Sequence, residues 1–93
     1  MLKVEMDKKV LIFSGYKEIV DYLKSKDFSQ PLSNLEYKMR VRERVRIFCS
    51  NKENIHVIRD REFVMDLLRL GYITSIEDLE LLERYETAGE YHA

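Results

Sequence analysis

The chain has 93 residues, 45% hydrophobic and 35% charged, with a formal net charge of -1. That length sustains one domain, residues 1–93, with a core of its own. The even charge balance argues against a protein built mainly for phosphate, the single cysteine excludes an internal disulfide, and no apolar run is long enough to cross a bilayer.

Leu2 to Met6 alternates apolar and charged side chains, and Val10 to Phe13 is a short apolar run. With Asp7-Lys8 as a tight turn between them, they read as a β-hairpin. The charges in Met1-Leu2-Lys3-Val4-Glu5 do not suit a signal peptide, so a cytoplasmic protein is expected. Tyr16 to Lys26 reads as a helix with Ile19, Val20 and Leu23 on its buried seam. Ser14 is its expected cap, with Glu18 in the first turn. Asp27-Phe28-Ser29-Gln30-Pro31 is a short connection, since proline pushes Gln30 out of the helical region.

Ser33 to Cys49 decides where most of the positive charge points. Arg40, Arg42, Arg44 and Arg46 fall at alternate positions, with Lys38 just before them. As a strand, this segment would gather the four guanidinium groups into one stripe. As a helix, it would split them and bury a seam of Tyr37, Val41, Val45 and Phe48, with Cys49 beside it. Local signals favour the helix. Ser33 and Glu36 have the spacing of a capping box, and Leu32 and Tyr37 that of a hydrophobic staple. Glu36 and Arg40 form an i,i+4 pair in the favoured order.

After a polar turn at 50–54, Ile55-His56-Val57-Ile58 is short and β-branched and reads as a strand joining the hairpin. Asp60 is the expected N-cap of a helix with Phe63, Val64, Leu67, Leu68 and Leu70 inside and Gly71 as its stop. Tyr72 to Thr74 is a tight connection. Ser75 to about Glu86 reads as a last helix, with Ile76, Leu79, Leu82 and Tyr85 inside and Glu77, Asp78, Glu80 and Glu83 outside. Residues 87–93 read as a frayed tail. The expected fold is therefore α+β, order β-β-α-α-β-α-α: four helices on one face of a small antiparallel sheet made of the N-terminal hairpin and a strand near 55–58.

No constellation specifies an active site. The helix pair from Asp60 to Glu86 has the outline of a helix-turn-helix, but its acidic second helix would be repelled by DNA phosphates. Cys49, His56 and His92 are too few and too scattered for a structural zinc site. The three glycines are too far apart to cradle a phosphate, and no cofactor is implied. Residues 31–62 hold eight Lys/Arg against five Asp/Glu, and residues 63–93 hold two against seven. The acidic end is thus expected to pair with the basic middle. Six tyrosines, no tryptophan and many arginines suit a protein interface.

These features lead to a non-enzymatic protein-binding module, a small regulator or inhibitor of a larger protein partner. Tyr37, Lys38, Arg40, Arg42, Arg44, Arg46, Glu77, Asp78, Glu80 and Glu83 are its candidate contact residues. Two alternatives stand beside it. The segment 38–46 could bind nucleic acid through its arginines. The acidic helix 75–86 could instead mimic nucleic-acid phosphates.

Overall fold

The computed structural model describes residues 1–48 and 54–80. The hairpin forms as its alternation requires. β1 (Leu2–Met6) and β2 (Lys9–Phe13) are antiparallel, with Leu2 opposite Phe13 and Met6 opposite Lys9. Leu2, Val4 and Met6 point inward and are buried, while Val10 and Ile12 lie exposed on the open face. The two-residue turn places Asp7 at φ 49° and Lys8 at φ 62°. Both values lie in the left-handed region that matches the strand twist but disfavours side chains with a Cβ. Lys8→Gly is expected to stabilise the fold by about 0.5–1 kcal/mol, read as a higher urea midpoint at unchanged slope.

Three helices cover the inner face of the sheet. α1 spans Tyr16–Lys26, α2 Asn34–Phe48 and α3 Asp60–Arg69. Val4, Ile19, Val20, Val45, Phe63, Val64 and Ile73 are the most deeply buried side chains, so one core joins sheet and helices. Tyr37 meets the Phe63 ring edge to face at 5.8 Å, tying α2 to α3. α3 stops in a Schellman motif. Gly71, at φ 87°, donates to the Leu68 carbonyl and Tyr72 to that of Leu67.

Among the described residues there are three helices, and the third strand lies elsewhere than expected. β3 is Ser75–Asp78, pairing antiparallel with β1 to give the order β2-β1-β3. The segment 55–58 is not a strand. Ile55 is buried as an anchor, but the His56 amide donates to the Asp66 carboxylate rather than to a ladder. Its place beside β1 is taken by residues 75–78, and the ladder is extended by Thr74 N–H to Glu5 O and Leu79 N–H to Met1 O. The expected helix 75–86 is correspondingly wrong at its start, since residues 75–78 are strand and helical conformation begins at Leu79 among the described residues. With it goes the helix-turn-helix outline. Cys49, the turn at 50–53, Leu82 to Glu86 with Glu83, the tail 87–93 and His92 lie outside the described residues.

The caps follow the sequence only in part. Ser33 Oγ accepts the Glu36 amide at 3.1 Å, but the Glu36 carboxylate accepts from Leu32 rather than from Ser33. The staple is absent, because Leu32 is 90% exposed. Ser14 does not cap α1 with its hydroxyl. Its amide instead donates to Glu18 at 2.9 Å, and Gly15 takes the N-cap position. Asp60 is the first residue of α3 and Arg59 is the N-cap, because the Asp60 carboxylate is drawn to Lys38 on α2.

Candidate functional site

The basic segment is helical, and each positive side chain has its own environment. Lys38 is 4% exposed and its ammonium donates to Asp60 while facing the Phe63 ring. Arg44 forms a two-pronged pair with Asp27, at 2.7 and 3.0 Å, and also reaches Ser29 Oγ. Asp27 completes its coordination with the amide and hydroxyl of Ser29. These donors hold its carboxyl far below the usual carboxylate range, with the Arg44 hydrogen bonds contributing most. Arg40 donates to the Ser29 carbonyl at 2.7 Å and to Glu36 at 2.5 Å. Arg46 pairs with Glu43 on the exposed surface. The Nε of Arg42 is buried and has no hydrogen-bond partner among the described residues.

The arginines thus form no continuous row. Two of them clasp the loop from Asp27 to Gln30 against α2, and Lys38 joins α2 to α3. Among the described residues, the partners of the basic segment lie in that loop, in α2 itself and in α3, rather than at the acidic end. Glu77 and Asp78 sit on the edge strand β3, and Glu80 pairs with the Met1 amino group at 3.3 Å.

The clasp leaves apolar side chains outside. Phe28 is 86% exposed and stacks under the Arg44 guanidinium at 5.0 Å. Leu35 and Met39 lie on the outer side of α2 and are also exposed, as are Ile47 and Phe48 at its far end. Phe48 was expected in the buried seam, but only Tyr37, Val41 and Val45 of that seam are buried. Leu35, Met39, Arg40 and Glu43 line a shallow groove of about 500 Å³ on this side. The apolar members of this surface were missed because strong charges at alternate positions dominate the sequence pattern there.

A second arrangement joins His56 to α3. His56 Nδ1 is 2.8 Å from Asp66, whose carboxylate also accepts the His56 amide. The hydrogen bond to Asp66 raises the imidazole pKa above its ordinary value. A raised folded pKa means that the pair's contribution is present below the unfolded value, roughly 6.5, and is lost as pH rises through the folded one. An NMR titration of the His56 ring should therefore give a midpoint above 6.5, lowered in Asp66→Asn. The ten-residue separation gave no signal in the sequence.

Among the described residues, no three or more His, Cys, Asp or Glu side chains gather as metal ligands, and no helix is long and apolar enough to cross a membrane. No protein-family model matches the chain, and neither does any curated protein or solved structure.

Proposed function

We propose that the chain is a non-enzymatic protein-binding module, and that a larger partner seats on the outer side of α2 and the loop before it. The observation that carries this reading is the exposure of Leu35 and Met39 in a groove flanked by Arg40 and Glu43, with Phe28 and Leu32 also exposed in the segment before α2. Apolar anchors inside a charged rim are the anatomy of a protein interface. The arginine clasp fixes the loop in advance, which lowers the ordering cost of association. Burying one such leucine or phenylalanine is worth about 1.5–3 kcal/mol, so a few anchors suffice for specific binding.

Affinity capture from the native cell, read by mass spectrometry, tests this reading with wild type and Leu35→Glu/Met39→Glu side by side. A partner held by wild type and lost by a folded double variant supports it. A partner retained equally by both overturns the assignment of the surface. If the captured species is nucleic acid, its binding will fall steeply with salt.

A further inference from the structure

The sheet order β2-β1-β3 leaves β2 at an edge among the described residues. β2 pairs with β1 residue for residue, without a bulge, and contains no proline, so neither device blunts its outer side. The Met1 and Glu5 carbonyls accept from Leu79 and Thr74 on the β3 side. Backbone groups alternate along an antiparallel strand, so Leu2, Val4 and Met6 serve β2 instead. Their partners Phe13, Leu11 and Lys9 are thus committed to β1, and Val10 and Ile12 turn their amides and carbonyls away from it. Their side chains are exposed as well, at 55% and 51%. The two ends of this edge differ in charge. Lys8 and Lys9 stand exposed at its start. At its finish the Ser14 amide, which also points away from β1, donates to the exposed Glu18 carboxylate. Glu18 therefore sets a negative charge beside the outer side of the strand.

We infer that β2 docks antiparallel against β2 of a second copy of this chain, with Leu11 opposite Leu11 on the dimer axis. In that register Val10 and Ile12 exchange backbone hydrogen bonds with Ile12 and Val10 of the second copy, and their side chains meet as cross-strand pairs. Lys8 arrives opposite Ser14 of the second copy, beside its Glu18. The antiparallel sense therefore brings opposite charges together at both ends, whereas a parallel sense would set lysine beside lysine. Face-to-face stacking of two sheets is disfavoured, because Lys3 and Glu77 share the open face with Ile12, and Glu5 shares it with Val10. The contact is isologous, so it closes at a dimer. It leaves the groove on α2 uncovered and stands independently of the partner proposed there.

One strand pair makes a small interface, below about 1,200 Å² in total, so the association is expected to be weak. Sedimentation velocity of the full chain under reducing conditions, from about 10 µM to about 1 mM, should show the weight-average coefficient rising from monomer towards dimer. Val10→Pro removes an outward donor that the monomer does not use, and should weaken dimerisation about tenfold while circular dichroism stays that of the folded chain. A chain that remains monomeric throughout the range overturns the inference, as does a dimer whose affinity is unchanged in Val10→Pro. Should Val10→Pro fail to fold, Lys8→Glu is the second variant, since it sets like charges against Glu18 of the second copy. A dimer weakened about threefold then supports the edge pairing, and unaltered affinity overturns it.

Discussion

Arg44→Ala will destabilise the protein by about 3 kcal/mol, the cost of leaving a buried carboxylate without its cation. The Asp27 side chain is 3% exposed, so water cannot easily replace the lost guanidinium. The loop would also lose the Arg44 contacts to Ser29 and Phe28. For a domain of this size, such a loss lowers the melting temperature by more than about 10 °C, which a thermal scan will register. The pH dependence supplies a second readout. Because the folded Asp27 pKa is depressed, its contribution is complete above the unfolded value, roughly 3.9, and is lost as pH falls through the folded one. Wild type should therefore lose stability steeply in acid below about pH 4, and Arg44→Ala should show a shallower slope there.

The second large effect concerns Lys38. Asp60→Ala should cost about 3 kcal/mol, because it strands an ammonium with little access to water against the Phe63 ring. Lys38→Met should lie within about 1 kcal/mol of wild type, since methionine fills similar space and Asp60 is open enough to rehydrate. Adding Lys38→Met to Asp60→Ala should therefore restore most of the loss. A denaturant double-mutant cycle reads this as a coupling of about 2–3 kcal/mol. A cycle with no coupling would mean that the pair does not hold α2 against α3.

The helices were legible because their signals are local. Tyr16 to Lys26 carries both a seam and charges suited to the helix dipole, and Gly71 supplies the φ that ends α3. The third strand was illegible for the opposite reason. Val57 and Ile58 favour extended structure, yet which segment joins β1 depends on competition for one free strand edge. Residues 74–79 supply that edge with a ladder, although Ile76, Leu79, Leu82 and Tyr85 recur at helical spacing. The helical state of the basic segment could be read from Ser33, Glu36 and the Tyr37, Val41 and Val45 seam. The roles of its charges could not, because Arg44 meets Asp27 across 17 positions and Lys38 meets Asp60 across 22.

The central position of β1 has a consequence for biosynthesis. Glu5 is produced 70 positions before its neighbour Ser75. At ordinary translation rates that interval is roughly 4–14 s, during which the hairpin has emerged with one flank unsatisfied. Chains truncated before Ser75 should accordingly engage chaperones, and the full chain should not.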